Sequence, residues 1–238
     1  MRVVIISIIL FSFKSVYSQI KKNEISIIIS EHLTFSQLNN KSDSRFKSPP
    51  SFSDFINFGI RFDKKILKEN LGLKFNTCIS TLELSSNVKY KILENKKSSS
   101  GISSSTNTFT YLQIGISKDI NIEDEIKFNV EMGLRTLFSS PFTSGKISGS
   151  SNALDSFYSY DFNFINQKKM TFIPYFGLGF NIPIKKMKVG LQLWAQKGFT
   201  NIIKYNYKFN YGSYVFQSSV YSKGNAIGIN LFLRVITF

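Results

Sequence analysis

Large apolar side chains alternate with polar or small ones in eight stretches of this chain. The pattern is clearest over 126–138, where every second residue from the start is large and apolar: Ile126, Phe128, Val130, Met132 and Leu134. A period of two is that of a β-strand whose two faces meet different surroundings. Each stretch has close to the roughly 9–11 residues with which a tilted strand crosses a bilayer. The predicted strands are 24–35, 53–62, 72–82, 108–117, 126–138, 171–182, 187–196 and 226–238.

The connections between these predicted strands alternate in length. Four are long and polar: 37–52, 85–107, 139–170 and 197–225. Three are short: 63–71, 118–125 and 183–186. Outer-membrane barrels have the same alternation of connection lengths, with short periplasmic turns, long extracellular loops and an even number of strands. The pattern therefore predicts an all-β fold, an eight-stranded antiparallel transmembrane β-barrel with both chain ends on the periplasmic side.

The first residues have the features of a secretory signal peptide. Met1 and Arg2 form a short positive region, 3–13 are apolar, and Val16 to Ser18 end the segment with mostly small side chains. The apolar run is much shorter than the about 20 residues of a spanning helix. We expect 1–18 to be a cleaved signal peptide and 19–238 to be the barrel domain, located in the bacterial outer membrane.

The chain is strongly basic, with 30 lysine and arginine residues against 15 acidic ones and a net charge of +15. Removal of Arg2 and Lys14 with the signal peptide lowers this to +13. The export signal argues against nucleic-acid binding. Lysine also outnumbers arginine, whose planar group recognises phosphates and bases better. The charge instead favours attraction to anionic lipid head groups or to lipopolysaccharide phosphates.

Cysteine and histidine are too few for a disulfide framework or a metal site. Cys78 is the single cysteine, and the parity of its predicted strand turns it inward as a small filler. One cysteine and one histidine on different strands do not make a ligand set. No phosphate-cradling glycine loop occurs, so we expect no cofactor.

Charged residues on the inward faces form two predicted layers. Glu24, Arg61 and Arg234 fall at a similar, periplasmic height on neighbouring strands and predict a buried ion cluster. Glu131 and Arg135, four residues apart on one inward face, predict a second layer. Such layers could carry protons or ions, but we interpret them as a structural plug in which buried charges satisfy one another.

His32 and Ser30 are the candidate catalytic residues. They lie on one face near the top of the first predicted strand, as a lipid-modifying barrel enzyme acting on lipid A or phospholipid would need. A nucleophile also needs a base with an orienting partner. The required acid is missing, because Glu31 points the other way and Asp54 has outward parity.

Alternation also continues beyond the membrane-length stretches. Segments 204–211 and 214–221 predict a hairpin that extends the last two strands above the bilayer, and 157–165 predicts a similar extension of the sixth strand. A protruding sheet edge can pair with a partner strand. Alternatively, its aromatic residues form an interface girdle, or 157–165 and 214–221 cross the bilayer and make a ten-stranded barrel.

The whole mature chain resembles a family on this pattern. Signal peptide, eight alternating strands, unequal connections and a terminal aromatic, Phe238, are similar to small outer-membrane barrels of the OmpA/OmpX type, and to the "porin family" barrels common in Bacteroidetes. The resemblance implies that barrel-assembly machinery reads Phe238, although Arg234 stands in that last strand where an apolar residue is more typical. A barrel of eight strands is too narrow for a channel, so we do not expect a pore.

We therefore predict a non-enzymatic integral outer-membrane protein. The barrel acts as an anchor, and basic, aromatic loops bind lipopolysaccharide, an extracellular protein or another surface ligand, or serve the integrity of the envelope. A small lipid-modifying enzyme is the alternative. A secreted soluble barrel would need a polar outside and an apolar inside, which is the reverse of the pattern.

Overall fold

A computed structural model describes most of the chain. It covers residues 23–38, 46–52, 56–65, 73–94, 97–122, 126–138, 144–153, 156–184, 187–211 and 214–237. The predicted signal peptide, 1–18, and the predicted assembly signal, Phe238, lie outside these ranges. Within them no helix is long and apolar enough to span a membrane.

Thirteen β-strands make up the regular structure of the described residues. They are β1 (Asn23–Leu38), β2 (Phe46–Lys47), β3 (Ser51–Phe52), β4 (Asn57–Lys65), β5 (Leu73–Glu94), β6 (Lys97–Asn121), β7 (Lys127–Phe138), β8 (Ser144–Ala153), β9 (Ser156–Asn166), β10 (Met170–Ile184), β11 (Met187–Gln196), β12 (Ile203–Tyr211) and β13 (Tyr214–Thr237).

Eight of these strands close into an antiparallel barrel. Their order is β1, β4, β5, β6, β7, β10, β11 and β13, and β13 pairs back with β1 to complete the ring. This confirms the predicted eight-stranded antiparallel barrel. We call the end at which β1 begins and β13 finishes the lower end, and the end beyond which β5, β6 and β13 continue the upper end.

The strand bounds agree with the sequence pattern in some places and depart from it in others. The predictions for 126–138 and 187–196 agree with β7 and β11 to within one residue. The prediction that 85–107 is a loop is wrong, because β5 and β6 stay paired from Leu73 opposite Lys118 to Glu94 opposite Lys97. The main-chain ladder continues there without the apolar alternation that marks a membrane-length strand.

A small sheet rises above the barrel on one side. The upper half of β13 pairs with β12, β12 pairs with β9, and β9 pairs with β8. We call β8, β9, β12 and the upper half of β13 the upper sheet. The predicted hairpin is thus present as β12 and β13, although β12 is separated from β11 by residues 197–202. In the described chain neither β9 nor the upper half of β13, which contains 214–221, adds a strand to the ring, so the ten-stranded alternative is wrong.

One strand, β13, belongs to both the barrel and the upper sheet. Its ladder with β1 shifts register where Phe35 faces Asn225 and Ser36 faces Ser222, which leaves two extra residues on β13. Gly224 lies in this bulge with φ of 78°. The positive φ favours glycine, and a Cβ there would lie 2.6 Å from the Ile173 Cδ1 atom, so that side chain would have to move.

The two faces of the barrel have opposite character. Exposed apolar side chains form a belt around the outside, with Phe58, Ile60 and Leu193 each more than 60% exposed. We call this the apolar belt, and its other members include Ile79, Ile114, Ile116, Met132, Leu134, Phe176, Leu178, Phe180, Leu191, Ile227 and Ile229. Polar and charged side chains are buried inside. The alternation read from the sequence therefore gives the correct side for each face.

Candidate functional site: the barrel interior

The centre of the barrel interior is built around the carboxylate of Glu131, which β7 presents inward and which is fully buried. Arg61 reaches it from β4, with Nη1 2.6 Å from Oε2. Gln113 donates to Oε1 at 2.9 Å and Gln192 donates to Oε2 at 2.9 Å. The Tyr175 hydroxyl also donates to Oε1. Four donors on four strands therefore hold one carboxylate, a fully satisfied buried charge.

Arg61 connects this carboxylate to a second one. Its Nε donates to both oxygens of Asp63, at 2.8 and 2.9 Å, and Nη2 lies 2.8 Å from Oδ1. The guanidinium carbon also lies 4.9 Å from the centre of the Phe232 ring. Arg61 is buried and uses both edges of its planar group, which lysine could not do.

Arg135 lies above Glu131 on the same strand and is held differently. Its Nε donates to the Gln113 Oε1 atom at 2.8 Å, and Nη1 donates to the Gln196 Oε1 atom at 2.7 Å. Its guanidinium carbon is 4.1 Å from the Trp194 ring centre and 4.8 Å from those of Tyr111 and Tyr175. Aromatic faces and amide oxygens thus hold this cation.

The four charges balance as a group. Two guanidiniums, Arg61 and Arg135, face two carboxylates, Asp63 and Glu131, and Gln113 bonds both Glu131 and Arg135. We call Arg61, Asp63, Gln113, Glu131 and Arg135 the ionic layer. It fills the middle of the interior with two ion pairs of Arg61 and with the Arg135 cation, which Gln113 links to Glu131.

A second set of ion pairs lies at the lower end. The Glu24 Oε2 atom is 2.7 Å from the Arg234 Nη2 atom and 3.2 Å from the Lys74 Nζ atom. Lys74 also lies 2.7 Å from the Asp119 Oδ2 atom, whose other oxygen accepts from Asn129 at 2.8 Å. These groups form a chain of alternating charge across the lower end of the barrel.

The structure divides the predicted clusters differently from the sequence analysis. Glu24 and Arg234 form an ion pair, but Arg61 bonds Asp63 and Glu131 instead, and Asp63 is the residue directly opposite Glu24 in the β1–β4 pair. Glu131 and Arg135 share a layer through Gln113 rather than through a direct bond.

Asp63, Lys74 and Asp119 are interior charged residues that are not among the predicted clusters. Lys74 lies on the inward face of the third predicted strand. Asp63 and Asp119 lay just beyond predicted strand ends, where extending the parity of Arg61 and Ser117 by two residues would have turned both inward.

His32 and Ser30 are both buried on the inward face of β1. The His32 Nε2 atom is 2.6 Å from the Glu83 carbonyl oxygen, and Nδ1 is 3.4 Å from the Asn57 amide nitrogen. The ring also lies 5.8 Å from Trp194 between centroids. The ring is therefore held by a main-chain oxygen, a side-chain amide and an aromatic neighbour, which is a packing arrangement rather than an activated base.

Apolar side chains close the upper end of the interior. Seven elements or connections contribute fully buried groups, which we call the apolar plug: Leu82, Leu84, Val88, Phe109, Leu137, Ile173, Ile202, Ile203, Tyr205 and Val220. The Tyr205 hydroxyl donates to the Leu84 carbonyl oxygen at 2.8 Å, so β12 is fastened across the interior to β5. The sequence analysis placed Ile202 and Tyr205 in or near external loops and missed this plug.

Among the described residues, no group of three or more histidine, cysteine, aspartate or glutamate side chains could hold a metal ion. Cys78 is a buried free cysteine whose Sγ lies 4.0 Å from the Tyr111 hydroxyl, consistent with the predicted filler position.

Comparison with known proteins identifies no family for this chain. No family model matches the chain, and no curated protein matches it in sequence. The outer membrane protein OprG from Pseudomonas aeruginosa matches with a TM-score of 0.48 and 8% identity, over 92% of this chain and 99% of that one. The β domain of the Bordetella autotransporter BrkA matches with a TM-score of 0.24 and 5% identity, over 88% and 99%. At these values the matches assign no ligand or activity.

Proposed function

We propose that this chain is an integral outer-membrane β-barrel protein without enzymatic activity. The barrel anchors it, and the upper sheet with its neighbouring basic connections binds lipopolysaccharide or an extracellular protein. The apolar belt is the observation that carries the proposal, because a closed ring of exposed phenylalanine, isoleucine and leucine side chains needs an apolar solvent.

The belt is hard to reconcile with water as the surrounding medium. Soluble monomers rarely expose contiguous apolar patches beyond a few hundred Å². Here, large exposed apolar side chains occur on all eight barrel strands, including Ile27 on β1 and Ile229 on β13. Closure of the β1–β13 seam also pairs the main chain all round the ring, which a lipid environment demands.

The finer assignments extend this proposal. Residues 1–18 act as a signal peptide cleaved after Ser18, and Phe238 is read by barrel-assembly machinery. The lower end then faces the periplasm and the upper sheet faces outward. The pattern of short lower turns supports this orientation, and the OmpA/OmpX-like and Bacteroidetes "porin family" barrels are the groups it fits best.

The upper sheet supports a binding role through its edge and its charge. Within the described chain β8 pairs only with β9, so its other edge can accept a partner strand. Lys204 and Lys208 lie on β12, and the Lys204 Nζ atom is 5.8 Å from the Tyr221 ring centre. Lysines above a barrel suit the phosphates of lipopolysaccharide.

The interior supports a structural rather than a catalytic role. The ionic layer, the lower ion pairs and the apolar plug occupy it with groups that bond to one another. The enzyme alternative would rest on His32 and Ser30, and nothing in their contacts favours it. Unchanged lipid A and phospholipid in cells carrying His32→Ala are expected, whereas loss of a lipid modification would restore the alternative.

The membrane proposal predicts extraction from the membrane fraction only with detergent, and a migration on gels that changes on heating. Leu193→Arg in the belt should destabilise the barrel in bilayers by about 2–4 kcal/mol if it lies near the midplane. Gln217→Arg on the exposed face of upper β13 is the matched control and should have little effect. A protein that stays soluble without detergent would contradict the proposal.

The binding proposal is tested with purified lipopolysaccharide on a biosensor surface. Lys204→Gln with Lys208→Gln should weaken binding, while Lys64→Gln with Lys118→Gln, which removes two exposed charges at the lower end, should not. Equal binding by all three proteins would leave the extracellular protein as the ligand and contradict the lipopolysaccharide assignment.

A further inference from the structure

A cavity of about 290 Å³ opens at the lower end of the barrel. Five basic residues line it: Lys65, Lys74, Lys127, Lys188 and Arg234. We call this cavity the vestibule. Its acidic lining residues are Glu24 and Asp119, so the lining has a surplus of three positive charges.

The ion pairs formed by the described residues at this end leave the surplus in place. Glu24 and Asp119 are the carboxylates of the chain formed with Lys74 and Arg234. Within the described residues, no carboxylate lies within ion-pair distance of Lys65, Lys127 or Lys188. Among the residues that the structure describes, three ammonium groups therefore line one cavity without a carboxylate at ion-pair distance.

The strand register brings like charges together at this cavity. Lys65 is directly opposite Lys74 in the β4–β5 pair, and Lys188 is directly opposite Arg234 in the β11–β13 pair. Directly opposed like charges destabilise an antiparallel pair. An anion in the vestibule would relieve both repulsions at once.

An unused hydrogen-bond donor lies in the same place. The Arg234 Nε atom is buried and has no partner in the described part of the chain, while Nη2 of the same group bonds Glu24. A buried donor without an acceptor costs free energy. The unused Arg234 Nε–H group could donate to a ligand oxygen, and this observation is independent of the charge surplus.

We propose that the vestibule binds a phosphate group. Phosphate carries about −1.5 to −2 charge near neutral pH and presents three strong acceptor oxygens. A carboxylate would neutralise only one of the three surplus charges. The phosphate belongs either to a soluble anion or to a phosphomonoester lipid head group in the leaflet around the mouth. Phosphate binding itself depends on the barrel end and not on the upper sheet.

Isothermal titration calorimetry of the folded chain in zwitterionic detergent tests the proposal, with inorganic phosphate, pyrophosphate and acetate as probes. Saturable binding is expected for phosphate, with pyrophosphate tighter and acetate weaker, following their charges. Lys65→Gln with Lys188→Gln removes one member of each like-charged pair and should weaken phosphate binding about tenfold, about threefold per lysine.

Lys64→Gln with Lys118→Gln is the matched control, because both lysines are exposed on the outer face at the same end. It removes the same charge and should change the affinity by less than about twofold. Equal weakening by both double variants, or no saturable binding by the unaltered chain, would overturn the proposal.

The source of the phosphate is resolved in nanodiscs. If a lipid head group occupies the vestibule, phosphatidic acid in the nanodisc should weaken inorganic phosphate binding relative to phosphatidylcholine alone. The Lys65→Gln, Lys188→Gln variant should lose this competition. Equal phosphate affinity in the two lipids assigns the site to a soluble phosphate.

Discussion

The middle and the upper end of the barrel interior are filled by opposite chemistries. The ionic layer holds two guanidiniums and two carboxylates, whereas the apolar plug holds leucine, isoleucine and aromatic side chains. Both fill the interior, but different substitutions destabilise them. An ionic layer is stable only while its charges remain paired, since a lone buried charge is costly. An apolar plug loses stability in proportion to the volume removed.

The largest effect is expected in the ionic layer. Glu131→Ala removes the acceptor of four donors and leaves Arg61 with one carboxylate, so the free energy of unfolding should fall by about 3–5 kcal/mol. Urea unfolding in detergent micelles, followed by gel migration without heating, measures it. Glu31→Ala, at an exposed position on β1, is the control and should cause no such loss. A variant as stable as the unaltered protein would show that this layer is not a paired network.

The plug should respond to volume. Leu84→Ala is expected to lower the free energy of unfolding by about 2–4 kcal/mol, because Leu84 is fully buried. Leu84→Met nearly conserves volume and should cost less than about 1.5 kcal/mol, and Val215→Ala at an exposed position of β13 should cost little. Equal losses for alanine and methionine in the same urea experiment would contradict a packing role.

Arg135 tests whether charge or geometry matters within the ionic layer. Arg135→Lys keeps the charge but loses two directed hydrogen bonds and the stacking on three rings, so a loss of about 2 kcal/mol in the free energy of unfolding is expected. The same urea series measures it. If lysine is fully tolerated, charge alone holds the layer.

The smallest effect is expected at Tyr205. Tyr205→Phe keeps the ring but removes the hydrogen bond to the Leu84 carbonyl oxygen, which should cost about 1 kcal/mol of unfolding free energy. Tyr221→Phe, in a less buried part of the upper sheet, is the matched control and should be neutral. A larger loss at Tyr221 than at Tyr205 would contradict the fastening of β12 to β5.

The sequence predicts the eight barrel strands better than the side-chain contacts inside the barrel. Over 126–138 the alternation is strong because one face meets apolar surroundings and the other a polar interior, and the eight stretches sufficed for the strand count. The parity of Arg61 gave its side but not the direction in which its long side chain extends, so its bond to Glu131 was missed.

The plug escaped prediction for a different reason. Ile202 and Tyr205 belong to a connection that folds back over the barrel, and period alone does not tell which connection returns to the interior. The serine-rich hairpin at the upper ends of β5 and β6 was not predicted. Its residues are mostly polar and lack the alternation of apolar and polar side chains that identifies the barrel strands.

The continuity of β13 through Gly224 gives the molecule a mechanical path. A partner that pulls on the upper sheet pulls along one strand that is bonded below to both β1 and β11. Since antiparallel bonds are perpendicular to their strands, this tension loads many of them in parallel rather than opening them one at a time. The ladder with β1 is interrupted at Gly224, so we expect traction on the upper sheet to stretch this bulge before the β1–β13 pairing below it separates.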